Sequence, residues 1–223
     1  MRLLALDTAA SRSSVALLTD AGVVEHAIQA ERVQAETVIP MVEKLLAEGG
    51  MGLKGLDAIA FGRGPGAFTG LRVAAAVAQG FAYGAGLPVV PVSNLAALAA
   101  AAHERHGAGR VLACLDARMQ EVYWAAYEFK GDTLEPVCPE SLSSPVSLTL
   151  PPGPWFGAGA GWGAYPEALK ARVPGLAGMD ADLMASAGDI VRLAYKAFQQ
   201  GAIVAPERAL PVYLRDNVAT PKI

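Results

Sequence analysis

"GRGPGAFTGLR" (Gly62–Arg72) joins an apolar run to a long alanine-rich run, and this junction shapes the first half of the chain. The apolar run before it, "LDAIAF", is typical of a buried strand. The residues after it, from Phe68 to Tyr83, are typical of a helix. A glycine-rich loop between a strand and a helix often holds a phosphate group. The stretch therefore predicts an α/β unit and a possible nucleotide site.

Neither common phosphate-binding motif fits this stretch. A P-loop ends in Gly-Lys followed by Ser or Thr, whereas Gly70–Arg72 reads Gly-Leu-Arg. A dinucleotide fingerprint fits Gly62–Ala67 loosely, but it requires an acidic residue about 20 positions later. The chain there reads "AYGAGLPVVPVS", which has no acidic residue. The sequence therefore favours a tight turn at Pro65 over a phosphate cradle.

The overall composition favours a protein partner and argues against nucleic acid as a direct ligand. Of the 223 residues, 53% are hydrophobic and 17% are charged, compared with about 25% charged in average domains. We infer that a partner covers part of the surface. The formal net charge is −3 and basic residues form no cluster, so we do not expect this chain alone to bind nucleic acid.

The sequence predicts a cytoplasmic protein with no membrane span. No signal peptide precedes the first strand, and we expect Cys114 and Cys138 to be reduced. The uncharged run at 73–102 is interrupted by "GAGLP" at 84–88, which leaves pieces shorter than the ~20 residues that a span needs.

Hydrophobic patterning predicts the element order β-β-β-α-β-α-β-α in the first half of the chain, and the pattern restarts near 107–109. "RVLACLD" in the second half mirrors "RLLALD" in the first, and both runs end in Asp. We therefore predict lobe 1 at residues 1–106, which carries the partner-binding helices, and lobe 2 at residues 107–223. The last ~15 residues are expected to pack back on lobe 1.

The two aspartates that end these strands suggest a nucleotide site. An aspartate at a strand end, followed by a small hydroxyl residue, can face the phosphates and Mg²⁺ of a nucleotide held between two lobes. "GAGAGWG" in the second half then suggests an adenosine-side loop. The alternative is that these are ordinary turn residues, and the sequence alone leaves both interpretations open. The residues of this possible vestigial site are Asp7, Thr8, Asp116, Gly159 and Gly161.

No catalytic residue, cofactor or metal site is assigned. His103 and His106 are spaced as metal ligands can be, but no third ligand is near them in the sequence. No "GxSxG" nucleophile motif occurs.

The helix after the glycine-rich stretch is apolar nearly all round, which predicts that both of its faces are covered. Leu71, Ala74 and Ala78 share one face, which we expect to pack on the sheet. The opposite face, together with the preceding helix, is the predicted partner interface. Its residues are Met41, Leu45, Arg72, Ala75, Ala76, Gln79 and Tyr83.

The duplicated order resembles the actin/Hsp70/sugar-kinase superfamily, with its two-lobed, ribonuclease H-like α/β fold. Within that superfamily the chain resembles the TsaB/YeaZ family. Five motifs in the same order carry the resemblance: "LALDTA" (Leu4–Ala9), "GRGPGAFTGLR", "LDARMQEVYWA" (Leu115–Ala125), "GAGAGW" (Gly157–Trp162) and "PVYLRD" (211–216).

The resemblance implies a scaffold role in making threonylcarbamoyladenosine beside the tRNA anticodon. The transferase of that pathway is TsaD, a paralogue whose two metal-binding histidines fall on Asn94 and Leu98 here. The resemblance therefore implies no activity for this chain alone, TsaD and TsaE as partners, contact with tRNA only indirectly through their complex, and a homodimer when they are absent. The alternatives are a stand-alone ATPase or small-molecule kinase that uses Asp7 and Asp116, and a peptidase, for which the sequence offers no nucleophile and base.

Overall fold

The structure is a computed structural model that describes residues 1–29 and 34–215. The contacts divide the chain into two units. The first comprises Met1–Ala101 and Met184–Pro211, and the second comprises Ala102–Leu183 and the chain from Val212 onward. The sequence-based boundary at residues 106 and 107 thus lies close to the first division, but residues 184–211, placed in lobe 2 from the sequence, group with the first unit.

The first half of the chain has the predicted order of three strands followed by alternating helices and strands. The hairpin between the second and third strands turns at Asp20 and Ala21. The elements are β1 (Leu3–Asp7), β2 (Arg12–Thr19), β3 (Gly22–Gln29), α1 (Gln34–Glu48), β4 (Ala58–Gly64), α2 (Phe68–Ala85), β5 (Val89–Ser93) and α3 (Asn94–His106).

The second half repeats the order of strands, but its helices differ from those of the first half. Among the described residues, a short 3₁₀ turn at Pro145–Ser147 stands where the repeat requires an α-helix. The last strand of this half was not predicted from the sequence, because its five residues (LAGMD) include a central glycine and lie outside any long apolar run. The elements are β6 (Arg110–Arg118), β7 (Glu121–Lys130), β8 (Thr133–Ser143), β9 (Trp155–Ala158), α4 (Ala160–Ala164), α5 (Pro166–Arg172), β10 (Leu176–Asp180) and α6 (Ala187–Gln199).

Two five-stranded sheets with the same topology form the two units. Their strand orders are β3-β2-β1-β4-β5 and β8-β7-β6-β9-β10. In each sheet the first strand is central, pairs antiparallel with the second strand, and pairs parallel with the fourth. The predicted fold class, an α/β protein with duplicated units, is confirmed.

The central strand β1 is buried on both faces, which explains why α6 belongs to the first unit. Leu4 and Leu6 point into the core shared with α1 and α2, whereas Leu3 points into a second core with Ile190 of α6. A parallel sheet needs cover on both faces. Since α6 supplies that cover for β1 and β2, residues far along the chain return to the first unit.

The C-terminal part of the described chain is shared between the units. Val204 exchanges backbone hydrogen bonds with Val89 of β5, and Ala209 is fully buried in the first core. Residues from Val212 group with the second unit. Of the last ~15 residues, which the sequence predicted to pack back on lobe 1, residues 209–211 group with the first unit and residues 212–215 with the second. Residues 216–223 lie outside the described part, so their return stays a prediction.

No helix within residues 1–29 and 34–215 combines the length and apolar character needed to cross a membrane.

Candidate functional site

The glycine-rich stretch packs tightly against the turn that follows β1. A Cβ atom added to Gly70 would overlap the carbonyl oxygen of Thr8. A Cβ added to Gly66 would lie 2.8 Å from the Cβ of Ala9. Side chains at these two positions would separate the segments. The glycines therefore serve close packing of backbone on backbone.

Two backbone N–H groups of this loop are used inside the protein. The N–H of Gly64 donates to Oδ1 of Asn94 (2.8 Å), and the N–H of Ala67 donates to the carbonyl oxygen of Ala9 (2.8 Å). A phosphate cradle depends on N–H groups that point to the ligand. The geometry therefore supports the tight-turn interpretation of Gly62–Arg72.

Asp7 ends β1 in a buried hydrogen-bond network. Its Oδ1 accepts from the N–H of Ala9 and from Nδ2 of Asn94, each at 3.1 Å. Burial raises the pKa of Asp7 to about 6, although the hydrogen bonds from Ala9 and Asn94 favour the charged form. Gly62 gives this network room, since a Cβ there would lie 2.7 Å from Nδ2 of Asn94.

The pairing of Asp7 with Asn94 was missed in the sequence. The two residues are 87 positions apart, and the sequence singled out Asn94 only as a position aligned with a metal ligand. The pairing could have been inferred from where the two residues lie relative to the strands. Asn94 directly follows β5, and the carboxyl ends of the parallel strands β1, β4 and β5 share one sheet edge.

Thr8 is also occupied within the first unit. It is fully buried, and its hydroxyl donates to the carbonyl oxygen of Gly70 at 2.6 Å. Asp7 and Thr8 thus fix the β1 turn to α2 and α3. Nucleotide binding by these two residues stays a prediction.

Asp116, the counterpart in the second unit, braces the turn between β6 and β7. Its Oδ1 accepts from the N–H of Arg118 (2.8 Å), and its Oδ2 pairs with the Arg118 guanidinium (3.1 Å). The hydroxyl of Tyr165 lies 3.4 Å from Oδ1. These contacts favour the turn-residue interpretation of Asp116.

Gly159 and Gly161 let α4 approach β6 closely. Gly159 has φ of +97°, in the region that favours glycine. A Cβ on Gly161 would lie 3.0 Å from the backbone of Cys114. The structure thus places Asp116, Gly159 and Gly161 in the second unit and Asp7 with Thr8 in the first.

The described residues contain no group of three His, Cys, Asp or Glu side chains that could hold a metal ion. His103 stacks on Phe129 at 3.7 Å, and His106 pairs with Asp180 at 2.9 Å. At the two positions aligned with metal ligands, Asn94 is hydrogen-bonded and Leu98 is buried. That the chain binds no metal stays a prediction.

The exposed side of α2 carries most, but not all, of the predicted interface. Arg72 and Ala76 are exposed, Tyr83 is 80% exposed, and the half-buried Gln79 donates to the carbonyl oxygen of Ala209. The guanidinium of Arg72 lies 3.7 Å above the ring of Phe68.

Three of the predicted interface residues require correction, because their side chains lie in the core of the first unit. Ala75 belongs to the buried stripe of α2, in which residues follow at intervals of three or four. Met41 and Leu45 of α1 face the sheet in the same way. The boundary between the buried and the exposed face of α2 was therefore predicted about one position away from where it lies. Alanines occur on both faces of this helix, and their weak hydrophobicity does not distinguish the two faces.

Small residues follow one line along the exposed side of α2. Ala76, Gly80 and Gly84 are four apart and all exposed. A Cβ on Gly80 or Gly84 would meet no atom within 4 Å. Glycine in a helix interior costs about 0.5–1 kcal/mol relative to alanine. Nothing around these two glycines in the described chain explains that cost, and the sequence analysis had not singled them out.

The fold defines this chain as an α/β protein with two duplicated five-stranded units, and its glycine-rich loop packs closely against the turn after β1. A family model described as "TsaD: tRNA N6-adenosine threonylcarbamoyltransferase" matches residues 20–222. The chain is 41% identical over 230 residues to "tRNA threonylcarbamoyladenosine biosynthesis protein TsaB" of Escherichia coli K12, covering 100% of this chain and 98% of the relative.

Solved structures agree with the sequence relatives. YeaZ from Pseudomonas aeruginosa is 45% identical, with a TM-score of 0.89 over 96% of this chain and 99% of that one. A second structure, with a TM-score of 0.90 and the same identity and coverage, is described as an uncharacterized protein with similarity to peptidase YeaZ from Pseudomonas aeruginosa. The chain belongs to the TsaB/YeaZ family, and the resemblance found in its motifs is confirmed.

Proposed function

We propose that this chain is a non-catalytic scaffold subunit of the complex that transfers a threonylcarbamoyl group to the tRNA adenosine beside the anticodon. It binds TsaD through α2, acts with TsaE in the cytoplasm, and forms a homodimer when its partners are absent. The observation that carries the proposal is the exposed line of Ala76, Gly80 and Gly84 on a helix whose other side covers the sheet. The name of the Escherichia coli relative, a tRNA threonylcarbamoyladenosine biosynthesis protein, supports it.

The geometry of the first unit argues against catalysis. Asp7, Thr8 and the N–H groups of Gly64 and Ala67 make internal hydrogen bonds, which leaves them engaged when the chain is alone. A stand-alone ATPase or kinase would need those groups for phosphate and Mg²⁺. For a peptidase, burial raises the pKa of the Cys114 thiol, which opposes formation of a nucleophilic thiolate.

The exposed side of α2 suits close approach by another helix. Small residues spaced four apart let two helix backbones come together, and glycine allows the closest approach. Tyr83 and the stacked pair of Phe68 and Arg72 lie on the same helix and supply larger contact groups. Tyrosine and arginine are enriched among the residues that dominate binding energy in interfaces. A copy of this chain or a paralogue of the same fold can present a matching helix.

Reconstitution of tRNA modification tests the proposed function. The purified chain, incubated with the threonylcarbamoyl adenylate and unmodified tRNA, is expected to form no product, because it has no assigned catalytic residue. Addition of TsaD and TsaE should give product over many turnovers, and omission of the chain from that mixture should abolish turnover. Product formed by the chain alone would contradict the scaffold assignment.

A further inference from the structure

The side-chain amide of Asn94 makes two hydrogen bonds of opposite kind. Its Oδ1 accepts from the N–H of Gly64 (2.8 Å), and its Nδ2 donates to Oδ1 of Asp7 (3.1 Å). The amide fills the space beside Gly62, where an added Cβ would lie 2.7 Å from Nδ2 and 2.8 Å from Oδ1 of Asn94. Asparagine carries a donor and an acceptor on one short, neutral side chain, so it satisfies both neighbours at once.

These two bonds hold the loop that precedes α2 at two points. The first point is Gly64 itself. The second runs through Asp7, whose Oδ1 also accepts from the N–H of Ala9 (3.1 Å). The carbonyl oxygen of Ala9 in turn accepts from the N–H of Ala67 (2.8 Å), the residue directly before α2. Asn94 therefore helps to fix where the first turn of α2 begins.

The first turns of α2 carry part of the proposed partner surface. Phe68 is 42% exposed, and the Arg72 guanidinium lies 3.7 Å above its ring. Asn94, in contrast, is 5% exposed, which leaves almost no surface that a partner could touch. An effect of Asn94 on binding must therefore pass through the loop and α2.

We infer that Asn94 is a positioning residue for the binding of TsaD. It holds the loop at Gly64 and Ala67. The loop then sets where the stacked pair of Phe68 and Arg72 lies on the surface. A buried hydrogen-bond network in which every member has a partner fixes one arrangement of the backbone. The inference rests on the proposed function, because TsaD is the partner in the proposed complex.

Asn94→Asp tests this role, because its effect on the loop depends on pH. When the new carboxyl group is protonated, its carbonyl oxygen can accept from Gly64 and its hydroxyl can donate to Asp7, as the amide does. When that proton is lost, two carboxylates face each other across the 3.1 Å that now separates Nδ2 of Asn94 from Oδ1 of Asp7. Their repulsion should then release the loop.

The surroundings of Asp7 set the pH at which this release occurs. Burial already raises the pKa of Asp7 to about 6 in the unmodified chain, and of the charged groups that act on it Asp189 opposes its charged form and Arg12 favours it. A second carboxylate beside Asp7 raises the pKa at which the pair loses its shared proton. We therefore expect the pair to keep one proton below about pH 6 and to lose it at higher pH.

The affinity for TsaD should follow this titration. Compared with the unmodified chain at the same pH, Asn94→Asp should bind within about twofold at about pH 5.5 and at least about tenfold more weakly at about pH 8.5. Asn94→Ala can neither donate nor accept, so it should bind about tenfold more weakly at both pH values. The control is Val191→Ala in the core beneath α6, which lowers stability without touching the loop and should stay within about twofold.

Hydrogen exchange in the isolated chain tests the loop separately from binding. Asn94→Ala should speed amide exchange at Gly64 and Ala67 by about tenfold relative to the amides of β1, which report on unfolding of the whole unit. Equal acceleration at the loop and at β1 would show that Asn94 stabilises the unit as a whole and does not position the loop.

Three binding results would also overturn the inference. A folded Asn94→Asp could bind TsaD at about pH 8.5 as tightly as the unmodified chain, or show no recovery at about pH 5.5. Val191→Ala could lose as much affinity as Asn94→Ala. If Asn94→Asp does not fold at the higher pH, as judged by circular dichroism, the comparison of Asn94→Ala with Val191→Ala decides. If the unmodified chain does not bind TsaD, the proposed function fails and the inference with it, whereas normal binding by Asn94→Ala rejects the inference alone.

Discussion

A single hydrogen-bonded pair, Asp7 with Asn94, decides what the glycine-rich loop can do. The sequence predicted that Asp7 ends a buried strand, and this is confirmed. It could not predict that an amide from α3 would occupy one carboxylate oxygen, because local patterns carry no information on contacts 87 positions apart. From the sequence alone, two roles for Asp7 were equally open: contact with a bound nucleotide, or stabilisation of the turn after β1. The structure favours the second role.

The raised pKa of Asp7 predicts a pH dependence of stability. A carboxyl group with pKa of about 6 in the folded chain and about 4 when unfolded stabilises the folded state when it is protonated. This contribution is fully present below about pH 4 and is lost as the pH rises through about 6.

Asp7→Asn removes this titration and keeps an oxygen that can accept from Ala9 and Asn94. The variant should therefore gain stability relative to the unmodified chain as the pH rises, by about 2 kcal/mol between pH 4.5 and pH 8. Urea unfolding of both proteins across that range measures the difference. Parallel stability curves would show that Asp7 does not carry the expected pH dependence.

At the scale of the element, the glycines of α2 have two different roles. Its limits, Phe68–Ala85, lie within two residues of those predicted from the sequence. Its faces were predicted less well, because Ala75 and Ala76 have identical side chains and only packing separates the buried one from the exposed one. Gly70 leaves room for the backbone of Thr8, which a larger residue would overlap. A Cβ atom on Gly80, in contrast, would meet no atom of the described chain within 4 Å.

Alanine substitutions at these two glycines should have opposite effects on the isolated chain. Gly70→Ala is expected to lower the free energy of unfolding by about 1–3 kcal/mol or more, because the added methyl group overlaps the Thr8 carbonyl. Gly80→Ala is the matched control and, measured at a protein concentration at which the chain is monomeric, should raise it by about 0.5–1 kcal/mol. Thermal or urea unfolding compares them. Destabilisation by Gly80→Ala would mean that the chain itself needs this glycine.

At the scale of the whole molecule, duplication made most of the fold predictable. The repeated apolar run that ends in Asp indicated the second sheet, and the two strand orders agree. The return of α6 to the first unit was not predictable, since its strongly amphipathic sequence shows that it covers a core but not which one. The short strand β10 and the missing helix before β9 were also beyond local patterns, because tertiary pairing decides both.

The central claim is that the exposed side of α2 joins this chain to TsaD and, in its absence, to a second copy. Ala76 lies at the start of the small-residue line, so an arginine there should block close helix approach and leave a charge that the interface cannot pair. The control is Ala171→Arg on the exposed side of α5, and circular dichroism checks that both variants fold.

Light scattering of the isolated chain, alone and mixed with TsaD, is the most direct measurement. The unmodified chain and Ala171→Arg should have the mass of a dimer alone and that of a complex with TsaD in the mixture. Ala76→Arg should have the mass of a folded monomer in both. A dimeric Ala76→Arg, or a monomeric one that binds TsaD with full affinity, would contradict the shared surface.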